Sequence, residues 1–351
     1  MFKRLYLLGI SLIIFSIPSV NARVTQLEIT EIISIAGGKH FGDIGAYEKV
    51  SGIAYFEISP DHKRNKIITD IARASINADG NVEFNAEFEI LRPVDPSKAS
   101  GTLFVEAPSQ GEKLSLGLLH DIDETIDLNF IDETTDLGNG FLFESGHTVA
   151  WIAWQAQIEE IDHRLVVDFP TALENDKPVT GFILTEFNGK SFEDQNPYTL
   201  PLSGRDFVKS FPTISTDQET AKASLFVMES GSTDASSSGV RKGEAVPADQ
   251  WQFAHCPDGW PGEPSLTFIC VKNGFLKNRN YHLIYQAVDS PVMGLGLATT
   301  RDFISHLRHE NKDSLGNQNP TPDIKHVICQ GIGQAAKYLR DFLYQGFNVD
   351  L

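Results

Sequence analysis

After its first seventeen residues the sequence has no long apolar run, and that absence excludes a membrane-crossing helix, which needs about 20 consecutive apolar residues. Cations are also scarce. Lys and Arg together number 29 against 47 Asp and Glu, a formal net charge of -18, which disfavours nucleic acid and anionic lipid surfaces as partners. There are only 3 cysteines in 351 residues. None follows the leader directly, so a lipid anchor is not expected there. No His occurs after position 333, and the only carboxylates beyond it are Asp341 and Asp350.

The first 22 residues pair a basic start, Lys3 and Arg4, with an apolar run from Leu5 to Ile17 and a compact Val20-Asn21-Ala22. This is the layout of a secretory signal peptide. It predicts a mature chain beginning near Arg23, secreted or periplasmic, with a charge of about -20 once the two leader cations are gone. Such acidity keeps a secreted protein soluble. Apolar content of 41% with 22% charged residues is that of a globular chain with a core. In an oxidising compartment Cys256 and Cys270 could close a small disulfide loop or remain free. Cys329, inside an apolar run, is expected to be a buried small hydrophobe.

In chain order, residues 23–95 read as antiparallel strands: Val24 to Ile35, Ile53 to Ile58, Lys66 to Ile71, and Val82 to Leu91. In the last of these Val82, Phe84, Ala86, Phe88 and Ile90 alternate with polar neighbours. Residues 102–160 supply two central strands, Thr102 to Ala107 and Thr148 to Trp154, expected to lie side by side and parallel. Between them His120, Asp121, Asp123, Glu124, Asp127, Asp132, Glu133 and Asp136 crowd one stretch. It lacks the twelve-residue calcium loop with its central Gly and closing Glu, so it reads as a solvated acidic loop. Residues 164–290 read as a β-rich insertion with Phe182, Phe187 and Trp251 in a small core of its own, and a Ser/Gly loop from Glu229 to Gly239. Residues 291–351 give a helix from about Leu297 to His309, then a strand, a turn and a helix. His306 and His309 have no third ligand at metal spacing and read as exposed helix-end residues; no metal and no cofactor are expected.

Asp323 to Phe347 is the most structured stretch. Ile324, Val327, Ile328 and Cys329 form a short apolar strand, Gly331-Ile332-Gly333-Gln334-Ala335 a turn, and Tyr338, Leu339, Phe342 and Leu343 one face of a helix that Gly346 can end. A sharp strand-to-helix turn of this kind is a nucleophile elbow, which lifts one side chain above a sheet. The residue at its centre is Gly333, which has no hydroxyl. The segment resembles that of a family of secreted alpha/beta-hydrolase-domain proteins, esterase-like and largely uncharacterised, whose turn reads close to G-I-S-Q-S-G. Ala36-Gly37-Gly38 through Phe41-Gly42-Asp43 to Gly45-Ala46-Tyr47-Glu48-Lys49, then Ile90 to Asp95, Gly138 to Leu142 and Pro291 to Gly296 resemble it too. The chain departs from that pattern at Gly333, Ala335 and Ala336, and family members continue past the position of Leu351.

The resemblance implies an α/β class: an incomplete alpha/beta-hydrolase sheet with an antiparallel N-terminal part and a large β-rich insertion. It also implies an oxyanion hole made from the loop after the Thr102 to Ala107 strand, with Gln110 and Gly111 as candidates (Ser109 beside them), and from the elbow residue Gln334. An ordinary loop is the alternative for 109–111. Three functions are expected in turn. The first is a relative of serine ester hydrolases that is inactive as it stands, with room for a small ester-like ligand. The second is an ester or amide hydrolase using an unrecognised nucleophile such as Ser236 to Ser238. The third is an interaction protein that completes its sheet with a partner strand, or with another copy, at the Ile324 to Gln330 edge.

Overall fold

The structure is a computed structural model that describes residues 23–190, 192, 197–228 and 243–350. The leader at 1–22 and the serines at 236–238 lie outside the described residues. The period-two pattern that begins at Val82 becomes strand β3 (Val82–Pro93), whose apolar members turn inward and whose polar members stay at least partly exposed in its first half. It pairs antiparallel with β2 (Tyr47–Ile58), which pairs antiparallel with β1 (Arg23–Ser34). Strand β4 (Thr102–Ala107) lies parallel to β5 (Thr148–Ile152), as expected, and parallel on its other side to β10 (His326–Gly331). The full order is β1-β2-β3-β5-β4-β10, and the two-residue strand Val167–Asp168 also joins β3.

The expected α/β class is corrected by this architecture. Among the described residues strands hold 35% and helices 16%, and these residues form five separate sheets with only four α-helices. Parallel pairing is confined to β5-β4-β10. The long connection from β4 to β5 carries only α1 (Ser115–Leu119) and α2 (Phe141–Glu144), too short to cover a sheet face. A doubly covered parallel sheet needs a helix of ten or more residues at each crossover, and the long helices here are two: α3 (Leu295–His309) and α4 (Gln334–Tyr344). The strand–turn–helix at the end of the chain is real. It does not represent the rest.

The regular structure of the insertion's described residues is mostly β-strand. Strands β6 (Gly181–Asn188), β7 (Ser224–Met228), β8 (Gly243–Ala245) and β9 (Asn280–Ala287) form an antiparallel sheet in the order β8-β7-β9-β6. A second sheet joins Thr199–Pro201, Phe268–Val271 and Trp251–Gln252. Phe187 and Trp251 lie in the insertion's own core with Phe253, Phe275 and Tyr285. Phe182 does not: it is 59% exposed, because an odd separation of five residues along one strand places it on the face opposite Phe187. Cys256 and Cys270 are joined by a disulfide, with Cα atoms 6.0 Å apart.

Three further expectations change. Lys66 to Ile71 is not a strand but a series of turns ending in a 3-10 turn at Ile71–Arg73, and Ile68 and Ile71 plug the main core at the spacing of three that such turns bring into line. His306 is buried rather than exposed, because the following loop folds over the end of α3. There the Asn319 side-chain amide donates to the carbonyls of Leu307 at 2.9 Å and Glu310 at 2.7 Å; His309 is exposed. Cys329 is exposed, since β10 is paired on one side only among the described strands.

Candidate functional site

Where β4 and β10 end, side by side, three segments meet: the 108–115 loop, the elbow turn and the start of α4. The turn is held tight by Gly331. A Cβ there would lie 2.6 Å from the Ala335 carbonyl carbon and oxygen, so only glycine lets the helix return so close over its own strand. Gly333 follows at φ 59° and ψ -113° and caps α4. That backbone is strained for any residue with a side chain and is the geometry that projects a residue from a strand-to-helix turn. Nothing lies within 4 Å of where its Cβ would stand. The helix is fixed in turn by Tyr338, whose ring stacks on Trp154 at 3.9 Å and whose hydroxyl is 2.6 Å from Thr300 Oγ1 on α3. The Trp154 indole N–H donates to Pro108 O at 2.8 Å, so one aromatic stack ties the helix to the neighbouring loop.

That loop has a buried anchor. Glu106, at the end of β4, accepts from the Leu114 N–H at 2.8 Å, the Ser115 N–H at 3.0 Å and the Trp151 indole N–H at 2.6 Å. Burial pushes its carboxyl up, and the three donors oppose that push. Between Ala107 and Lys113 the chain makes a two-residue turn, with Gln110 at φ 56° and Gly111 at φ 79°, both left-handed as a type I′ turn requires. Ser109 and Glu112 exchange backbone hydrogen bonds across it, each 3.0 Å. The Gln110 N–H donates to Gln155 Oε1 at 2.7 Å, so that candidate oxyanion donor is already committed. Gly111 is needed for space, since a Cβ would meet Arg164 Cβ at 2.9 Å. The Gln334 N–H opens α4 and is one of the amides a helix leaves without an internal partner.

Beside the turn lies a groove of about 700 Å³. Its apolar walls are Leu114, Leu118, Ile122, Ile126, Leu128 and the elbow's Ile332. The first four of these fall at intervals of four residues, the signal that the acidic appearance of 120–137 hid. Lys113 lies under the groove, its ammonium turned to the Glu89 carboxylate and donating to Asn129 O at 3.0 Å. His120, between the lining residues Leu118 and Ile122 in sequence, does not itself line the groove and is fully buried. His120 Nδ1 is 3.1 Å from Leu137 O, and the Leu142 N–H donates to Nε2 at 3.1 Å. That pairing fixes a neutral ring with its proton on Nδ1, and burial lowers its pKa to about 4.

No attacking group sits at the turn. Cys329 is exposed on β10, and what desolvation its thiol meets pushes it up to about 11, away from the reactive thiolate. Ser100 Oγ lies 3.0 Å from His147 Nδ1, but both precede their strands, β4 and β5, at the end opposite the elbow. No carboxylate orients that imidazole among the described residues. Nor does any group of three or more His, Cys, Asp or Glu there come together to hold a metal ion, and no helix there is long and apolar enough to cross a membrane. In comparisons with known proteins, no family model, no curated protein and no solved structure matches the chain.

Proposed function

We propose that this chain is a secreted relative of serine ester hydrolases that binds a small ester-like or apolar ligand beside the Gly333 turn without hydrolysing it. One observation carries the reading: the turn keeps the strained backbone of a nucleophile elbow, at φ 59° and ψ -113°, while the residue held there has no side chain. Acyl transfer needs a nucleophile with a base in hydrogen-bond reach. Here there is neither hydroxyl nor thiol at the turn, but there is a groove that reaches it through Ile332. The disulfide between Cys256 and Cys270 supports the secreted or periplasmic part of the reading.

The test is turnover of short-chain p-nitrophenyl esters by the purified chain, with fluorophosphonate labelling as a second readout. The expected rate equals that of a heat-denatured control, with no label. Gly333→Ser should not restore activity. A base bonded to the new hydroxyl would sit about 3.5 Å from its Cβ, and nothing lies within 4 Å of that position. Stoichiometric labelling of the unmodified chain refutes the reading.

A second reading, strand addition at β10, is favoured by one observation: among the described residues this strand is paired with β4 alone, with Ile328 47% exposed. Open apolar edges recruit strands. Ile328→Lys, changing an exposed position, should leave the melting temperature nearly unchanged and reduce concentration-dependent association in sedimentation. A wild-type chain that stays monomeric at all concentrations and protects its β10 amides as strongly as those of β4 removes that reading.

A further inference from the structure

The groove beside the elbow is apolar inside and acidic at its mouth, and the balance of charge there is one-sided. Of the carboxylates that line it, Glu112 is neutralised by Arg164 at 2.6 Å. Among the described residues Asp123, Glu124 and Asp127 form no ion pair; Asp127 feels the buried Lys113 ammonium only at a distance, and Lys113 is bonded to Glu89. Asp123 accepts from the backbone N–H and hydroxyl of Thr125, and Asp127 from the Asn129 N–H at 2.9 Å. These local bonds orient carboxylates without cancelling their charge. Lys113 is the one cation in the lining, and its ammonium is buried and paired with Glu89. The walls are aliphatic and the volume, about 700 Å³, falls in the range of roughly 300–1,000 Å³ typical of small-ligand pockets.

We infer that the groove selects amphiphiles with a cationic head and an aliphatic chain, an alkylammonium in chemical class, and rejects the carboxylate of the same chain length. The chain replaces water along Leu114, Leu118, Ile122, Ile126, Leu128 and Ile332, and the head rests among Asp123, Glu124 and Asp127. A free fatty acid would bring its carboxylate to the same three charges, with no accessible cation to meet it. This rests on the reading of the groove as a ligand site and goes beyond it by naming what the site accepts.

Isothermal titration of the full mature chain with decyltrimethylammonium, decanol and decanoate, each below its micellar concentration, tests this. At low salt the expected order is decyltrimethylammonium first, decanol next, decanoate last, with about tenfold or more between first and last. That ratio shrinks toward one in 0.5 M salt, where surface charges are screened within a few ångströms. The combined change Asp123→Asn, Glu124→Gln and Asp127→Asn, confined to exposed side chains, should remove the preference while leaving decanol binding unchanged. Leu118→Arg, also at an exposed position, should place a cation at the mouth and invert it. Decanoate binding as tightly as the ammonium, a ratio untouched by the triple change, or no binding of any of the three overturns the inference. Ester turnover by the unmodified chain would refute the non-catalytic reading and leave the charge preference standing, so the two can fail separately.

Discussion

Acidification should loosen the packing around one buried residue, His120, which lies between the groove residues Leu118 and Ile122 in sequence. The ring is fully buried, holds its proton on Nδ1 toward Leu137 O and accepts the Leu142 N–H at Nε2. Protonation would turn that acceptor into a donor facing a donor, and burial with the nearby Lys39 charge opposes it, so the pKa falls to about 4. An unfolded His titrates near 6.5. The folded pKa is depressed, so the folded state binds fewer protons. The stabilisation is complete above about pH 6.5 and is lost as the pH falls toward 4. Linkage across those two values gives a loss of about 2 kcal/mol between pH 7.5 and pH 5, and about 3 kcal/mol by pH 4. The assay is chemical denaturation of the native chain and of His120→Asn at both pH values, followed by tryptophan emission, to which Trp151 in β5 and Trp154 just after it contribute. Other titrating groups contribute to both proteins and cancel in the difference. The stability advantage of the native chain over the variant should shrink by about 2 kcal/mol from pH 7.5 to pH 5. The Leu142 amide, corrected for intrinsic rates, should exchange faster at pH 5. An advantage that is the same at both pH values, with Leu142 equally protected, refutes the reasoning.

Removing Lys113 alone, as Lys113→Met, strands the Glu89 carboxylate in the interior and should cost about 3 kcal/mol or more in denaturation experiments, with Lys113→Met and Glu89→Gln together recovering most of it. Gly331→Ala should cost about 2 kcal/mol because its methyl meets the Ala335 backbone at 2.6 Å, and the loss should appear as faster amide exchange along α4. Gly333→Ala meets no atom and should cost about 1 kcal/mol through its backbone conformation alone, with α4 exchange unchanged; equal exchange profiles for the two variants would sink that distinction.

What could be read from the sequence was whatever repeats locally. The alternation from Val82 to Ile90 specifies one inward face and therefore β3, and the apolar runs at 102–107 and 148–152 specify buried strands that sit beside one another; the run expected to be buried on both faces at 324–329 pairs with β4 but is largely exposed. The overall class was not legible, because a single strand–turn–helix motif near the C-terminus was carried to a chain whose long β4-to-β5 connection holds no long helix. His120 was hidden among acidic neighbours; its burial depends on Leu137 and Leu142, which reach it only through the path of the intervening loop. His306 was misplaced for a similar reason, since the residue that covers its helix end, Asn319, lies in a polar loop with no periodic signal. Cys329 sits in an apolar run and is exposed nonetheless, because apolar composition does not say whether a strand is inside a sheet or at its edge.

The turn makes different demands on its two glycines, Gly331 and Gly333. Holding a serine at φ 59° and ψ -113° would cost of the order of 1–3 kcal/mol, a strain tolerated at sites where a projected nucleophile is used. Glycine adopts the same backbone without that cost. The steric demand of the turn lies instead at Gly331, where strand and helix touch, so the fold constrains position 331 and leaves position 333 free. Replacing a serine by glycine at 333 would therefore relieve strain, leave the strand-to-helix packing intact and keep the Ile332 side chain in the groove.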